Sequence, residues 1–142
     1  MKIALAEAET DIARCYPVMA ELRPHLAGQD FVARVRRQQQ TGYLLAYLED
    51  DGEVRSVAGY RFLEMLCCGK ILYVDDLVTH ATCRSTGYGG RLFDWLVEQA
   101  RAAGCHELHL DSGVQRFDAH RFYLCHGMNI VWHHFSLKLD PP

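Results

Sequence analysis

The segment Arg84-Ser85-Thr86-Gly87-Tyr88-Gly89-Gly90 is the part of this chain best suited to hold an anion. Its glycines leave backbone N–H groups uncovered, and a helix opens inside it, adding the partial positive charge of a helix N-terminus. Together these make a site for a pyrophosphate. Arg84 sets a cation at the mouth, and the Ser85 and Thr86 hydroxyls can donate to phosphate oxygens. A nucleotide P-loop needs Gly-Lys-Ser/Thr at its end, but this loop runs on as Gly90-Arg91-Leu92. A dinucleotide fingerprint needs a third glycine where Leu92 stands. The pattern that fits is Arg-x-x-Gly-x-Gly, at Arg84, Gly87 and Gly89.

Other groups with chemical potential surround this loop in sequence. Asp75 and Asp76 sit on the apolar run before it. Adjacent strand residues point to opposite faces, so only one of the two is expected to face a given cleft. Glu64 and Asp111, near strand ends, are reserve carboxylates. Phe122-Tyr123 follows later, with Gly127 four residues past the tyrosine. Eight histidines raise the question of a metal. His133-His134 and His106/His109 fall on opposite strand faces, and His120/His126 are six apart on a helix, so no metal site is expected. His109, His133 or His134 could instead line an acceptor pocket or act as a base. The six cysteines include no Cys-x-x-Cys and read as reduced thiols packing as small hydrophobes.

These groups need elements to position them. Residues 10–26 read as a helix that Pro17 and Pro24 weaken or break, and Asp30 to Gln40 as a second. The period then switches to two. Strands are expected over Tyr43–Glu49, Val54–Leu66 and Ile71–Thr79, joined by turns at Asp50-Asp51-Gly52 and Cys67-Cys68-Gly69-Lys70, an antiparallel meander. The helix after the loop runs to about Ala103 and stops at Gly104, with Leu92, Trp95, Leu96 and Ala103 on one face. A strand from His106 to Asp111 completes a βαβ order, which implies a parallel neighbour. Phe117 to His126 reads as a short helix, and Met128 to Leu139 as one or two last strands. The class is mixed α/β, read as a single domain over 1–142.

Composition excludes several functions. With 142 residues, 49% hydrophobic and 23% charged, the chain is globular, and its net charge of −3 does not recommend a nucleic-acid partner. No export signal or membrane span is read, so a cytoplasmic protein with no membrane partner is expected.

The chain resembles the GNAT acetyltransferase superfamily. The likeness is sharpest from Tyr73 through Gly90 and again at Arg121-Phe122-Tyr123-Leu124-Cys125-His126-Gly127-Met128. It implies a mostly antiparallel sheet with one parallel pair at the cofactor cleft, and acetyl-CoA as cosubstrate with no metal. It further implies that backbone groups of Leu77, Val78 and Thr79 hold the pantetheine arm, that the segment from Arg84 to Gly90, Tyr88 included, binds the pyrophosphate, and that Tyr123 protonates the departing thiolate. Asp75 stands where related enzymes carry a glutamate acting through water, and competes with Asp76 for the base. The family often has Asn seven residues before the tyrosine; here Arg116 occupies that place and could still reach the cofactor. The implied reaction is acetylation of a primary amine on a small molecule or protein. A non-catalytic acyl-CoA sensor or scaffold is the alternative. Homodimers are common in similar proteins, so the resemblance also allows a homodimer.

Overall fold

Alternating apolar residues over 43–79 build three long strands, and a computed structural model, which describes residues 1–141, sets them side by side. The chain divides into two compact units, Met1–Leu110 and a second from Asp111 onward. Pro142, the last residue of the expected domain, lies outside the described residues.

In the first unit, strand β1 (Lys2–Leu5) leads to helices α1 (Glu9–Leu22) and α2 (Gly28–Gln39). Strands β2 (Leu44–Asp50), β3 (Glu53–Met65) and β4 (Gly69–Thr79) follow, then helix α3 (Tyr88–Ala102) and strand β5 (Glu107–Leu110). The sheet order is β1-β2-β3-β4-β5. The first three pairings are antiparallel and β4–β5 is parallel, as the βαβ order implied. Strand β1 was not expected. Four residues are too few for a periodic signal, and β1 exists because β2 offers it an edge.

Helices cover both faces of the sheet. On one face Ile12, Cys15, Val18 and Met19 of α1 and Phe31 and Val35 of α2 pack on Tyr43, Leu45, Tyr47, Val57 and Val78. On the other, Leu92, Leu96 and Ala100 of α3 pack on Ala46, Ala58, Tyr60, Leu72 and Val74. Pro17 lies inside α1 without ending it. Its missing N–H removes one bond to Ala13, and the buried face of the helix offsets that loss. The helix does end before Pro24, at Leu22.

Among the described residues the second unit holds one helix, α4 (Phe117–Cys125). His126 N donates to the Phe122 carbonyl and Met128 N to that of Tyr123, closing the helix, while Gly127 takes φ +88°. The strands expected over Met128–Leu139 are absent among the described residues. Ile130, Phe135, Leu137 and Leu139 are exposed there. Apolar alternation gives a segment strand propensity, but a strand exists only where a partner satisfies its backbone.

Candidate active site

The register of β3 and β4 decides the geometry. Gly59 pairs with Asp76 and Tyr60 pairs with Val74, so Asp75 has no opposite residue: it is the extra residue of a β-bulge. The bulge breaks the period of two. Val74 and Leu77 pack toward α3, whereas Val78 packs toward α1. Asp75 and Asp76 consequently line one cavity, together with Tyr73. The expectation that only one aspartate could face a given cleft is corrected, because strict alternation fails where a residue is inserted.

Both carboxylates are held by named donors. Arg61 Nη2 donates to Asp75 Oδ2 at 2.6 Å and Arg61 Nε to Oδ1 at 3.0 Å, a forked pair that raises the arginine further above its ordinary range. Arg23, just past α1, donates through Nε to Asp76 Oδ1 and through Nη2 to the Asp75 carbonyl, each at 2.9 Å. Tyr43 Oη donates to Asp76 Oδ2 at 2.8 Å. Burial, and then the Asp76 charge, push the Tyr43 phenol well above its usual value. Gly59 makes room for this bond, since a Cβ there would overlap the Tyr43 hydroxyl and crowd Asp76 Oδ2. Arg23, Arg61 and Tyr43 were missed in the sequence; an arginine between Tyr60 and Phe62 on a half-buried strand was the available signal for one of them.

The cavity measures about 320 Å³. Its wall includes Phe31, Tyr43 and Tyr73 beside Arg23, His25 and Arg34. Arg34 and His25 have no carboxylate partner among the described residues. The cavity therefore carries carboxylates already neutralised by arginines, plus two further basic side chains.

Strand β4 runs on past its last pair with β5, Val74–Leu110, as far as Thr79. Its edge on that side has no strand partner over this stretch among the described residues. Backbone groups of an antiparallel strand alternate between its two neighbours. His80 N donates to the Arg55 carbonyl at 2.8 Å, which sets the phase. Val78 then turns its N–H and C=O toward β3, and Leu77 and Thr79 turn theirs toward the open edge. Consistently, Arg84 Nε reaches the Thr79 carbonyl at 3.3 Å. Ser56, fully buried, steadies the strand end by donating to the Val78 carbonyl at 3.0 Å.

The loop beyond is anchored at several points. Ala81 N donates to the Glu21 carboxylate of α1, and a 3₁₀ turn spans Ala81–Cys83. The Thr86 hydroxyl donates to the Cys83 carbonyl. Ser85 takes φ +65° and Gly87 φ +90°, turning the chain into α3. No side chain caps α3, so its first amides keep free N–H groups. Arg84, Ser85, Thr86 and Gly87 are exposed, and Gly89 and Gly90 fall in the first helical turn. Tyr88 faces back into the unit: its hydroxyl donates to Asp50 Oδ2 at 2.7 Å. That bond lowers the Asp50 carboxyl and raises the Tyr88 phenol relative to their ordinary values. Tyr88 thus pins the start of α3 to the β2–β3 hairpin.

The remaining predicted groups fall elsewhere. Glu64 is exposed near the end of β3. In the second unit Arg116 precedes α4 and Tyr123 lies within it, its ring edge-on to Phe122. Burial pushes the Tyr123 phenol up, and Arg116 partly opposes this. His134 Nδ1 lies 3.3 Å from Asp111 Oδ1, and His133 is exposed. No helix among the described residues is long and apolar enough to cross a membrane.

Comparison with known proteins places this geometry. The family model described as "Acetyltransferase (GNAT) family" matches residues 5–128. The chain is 40% identical over 112 residues to the uncharacterized N-acetyltransferase YhdJ of Bacillus subtilis (strain 168), covering 78% of this chain and 79% of that protein. A ribosomal-protein-alanine N-acetyltransferase from Brucella melitensis biovar Abortus 2308 superposes with TM-score 0.83 at 18% identity, over 98% of this chain and 100% of that one. An aminoglycoside N-acetyltransferase solved in complex with CoA superposes with TM-score 0.83 at 12% identity, over 99% and 96%. These two share the fold. With the match running from β1 through α4, this chain belongs to the GNAT acetyltransferase family.

Proposed function

We propose that this protein transfers the acetyl group of acetyl-CoA to a primary amine, and that the acceptor is a small molecule also bearing an anionic group. The observation that carries the donor half is the open edge of β4 leading directly into the glycine loop. Leu77 and Thr79 offer outward-turned peptide groups to the pantetheine arm, while Val78 holds the strand in register. Arg84, the hydroxyls of Ser85 and Thr86, and the amides of Gly87, Gly89 and Gly90 meet the pyrophosphate; Tyr88 positions that helix end, and Arg116 adds a cation.

Acetyl transfer asks for three further things. The acceptor ammonium must lose a proton, and an ordinary one titrates near ~10.4. Asp75, held in place by Arg61, takes that proton through a water. Its remaining lone pairs leave room for one. The oxyanion that develops at the thioester carbonyl is met by the Leu77 N–H. Tyr123, kept protonated by burial, gives its proton to the departing CoA thiolate. The bond that forms is the amide C–N, and the one that breaks is the thioester C–S.

Arg34 and His25 support the acceptor half. Two basic groups without carboxylate partners among the described residues, in a cavity of small-molecule size, suit a carboxylate, phosphonate or phosphate on the acceptor. Six free cysteines favour a reducing compartment, and we place the reaction in the cytoplasm.

The test is release of free thiol from acetyl-CoA with amines matched with and without an anionic group. The anionic members should turn over faster, and Arg34→Ala should erase that preference while sparing the neutral amines. Thermal stabilisation by CoA with no thiol release from any amine would replace the transferase by the sensor or scaffold.

A further inference from the structure

We propose that Cys68, Glu107 and His109 form a zinc site with Cys67 beside it, clipping the β3–β4 hairpin to the edge strand β5. The Sγ of Cys68, a carboxylate oxygen of Glu107 and a ring nitrogen of His109 all lie within 4.8 Å of one another. His109 Nε2 and Glu107 Oε1 are 2.8 Å apart, and the Cys67 and Cys68 sulfurs 3.7 Å apart.

The fold brings these groups together by strand geometry. Glu107 and His109 are two apart on β5, so they share the face opposite Leu108 and Leu110, which pack toward α3. The hairpin turn delivers Cys68 to that face. Gly69, at φ +73°, permits the turn, and a Cβ there would meet the His106 ring at 2.7 Å. His106 N donates to the Lys70 carbonyl at 2.8 Å, fixing the base of the hairpin against the start of β5. His106 is not among the clustered ligand groups.

The donor set chooses the metal. Thiolate, imidazole and carboxylate together suit zinc, whereas magnesium and calcium take oxygen ligands. Zinc bonds of about 2.0–2.3 Å at tetrahedral angles put ligand atoms roughly 3.3–3.8 Å apart. Reaching that spacing opens the His109–Glu107 pair from 2.8 Å and draws in any ligand atoms farther apart, side-chain movements of about 1 Å. Cys67, which is exposed, has the freedom to swing in as the fourth ligand; otherwise water fills that place. Binding displaces the thiol proton to solvent and changes no oxidation state. Ten residues of β4 separate this corner from Thr79, about 33 Å of strand, so the ion acts on the sheet edge and not on acetyl transfer.

The histidine spacings that argued against a metal compared histidines only with one another. The proposed site is built instead from one histidine, a carboxylate two residues earlier, and thiols from a hairpin turn.

The experiment is a cobalt(II) titration of the reduced, metal-stripped full chain, followed by zinc competition. One equivalent of cobalt should produce tetrahedral visible bands with thiolate charge-transfer absorption, and zinc should bleach both. Cys68→Ser should abolish the charge-transfer band or leave only the weak contribution of Cys67. His109→Gln and the surface change Glu107→Gln should each weaken binding at least ~10-fold, the lower range seen for outer-shell losses. Zinc should raise the melting temperature of the wild type more than that of these variants, each checked for native circular dichroism. Cys125→Ser, in the second unit, should change nothing. A wild type without the charge-transfer band, or a band that survives Cys67→Ser/Cys68→Ser, overturns the site.

Discussion

Arg61 grips the bulged Asp75 from the neighbouring strand, with Nη2 to Oδ2 at 2.6 Å and Nε to Oδ1 at 3.0 Å. Both side chains are about three-quarters covered. The pair fixes the position of the carboxylate on the cavity wall, where a water-mediated base would need it.

Asp75→Asn should therefore lower kcat by roughly 10²-fold, the scale of a lost general base, while CoA affinity stays unchanged. Arg61→Lys keeps a charge but loses the fork, and should fall between wild type and Asp75→Asn. Steady-state kinetics beside a CoA thermal-shift assay separates the two effects. An Asp75→Asn enzyme with full kcat removes Asp75 from the reaction.

Gly59→Ala should destabilise the fold by about 1–3 kcal/mol, because its Cβ collides with the Tyr43–Asp76 pair. Tyr43→Phe alone should cost about 1.5–3 kcal/mol through a lost hydrogen bond to a carboxylate. In the double variant the hydroxyl is gone while the ring Cζ, 2.4 Å from the new Cβ, remains, so the loss should be less than the sum of the two single losses. Urea denaturation of the four proteins measures the coupling; strict additivity would contradict the packing described.

Alkaline pH offers a separate handle. Burial pushes the Cys15 thiol up to about 12 from an ordinary 9.0. A raised pKa in the folded state means that folding holds the proton more tightly. That stability is complete below about pH 9, and it is lost as pH rises from there toward the folded value, by at most ~1.4 kcal/mol per pH unit. The Tyr43 phenol adds a second loss beginning above its ordinary 10.0. Denaturant midpoints from pH 8 to 11 should fall, and fall less steeply in Cys15→Ala.

Gly87→Ala should weaken CoA binding by tenfold or more, with about 1–2 kcal/mol lost in stability. The new Cβ meets nothing within 4 Å, so the cost comes from the backbone at φ +90° and not from a clash. Calorimetric titration with CoA reads the first effect and thermal melting the second.

Tyr123→Phe removes the proposed proton donor and leaves the ring. It should cut kcat by roughly 10²-fold with KM for acetyl-CoA little changed. Burial holds the wild-type phenol protonated beyond its ordinary 10.0, so the loss should persist across pH 7 to 9. A variant whose KM rises while kcat holds would make Tyr123 a packing residue.

The amino-acid order determined the segments whose structure is local. The meander, the helix from Tyr88, the parallel neighbour implied by βαβ order and the glycine loop all follow from periodicity and backbone chemistry within a few residues. Tertiary pairing decided the rest. One inserted residue in β4 put Asp75 and Asp76 on the same wall, and register between strands is invisible to a pattern read along one of them. Arg23 and Tyr43 reach Asp76 from 53 and 33 residues away. Cys68 meets His109 only because a hairpin turn and an edge strand end at one corner. The apolar run after Met128 carried strand propensity, but no strand formed there among the described residues, since hydrogen bonds between strands belong to pairs and no single segment can encode them alone.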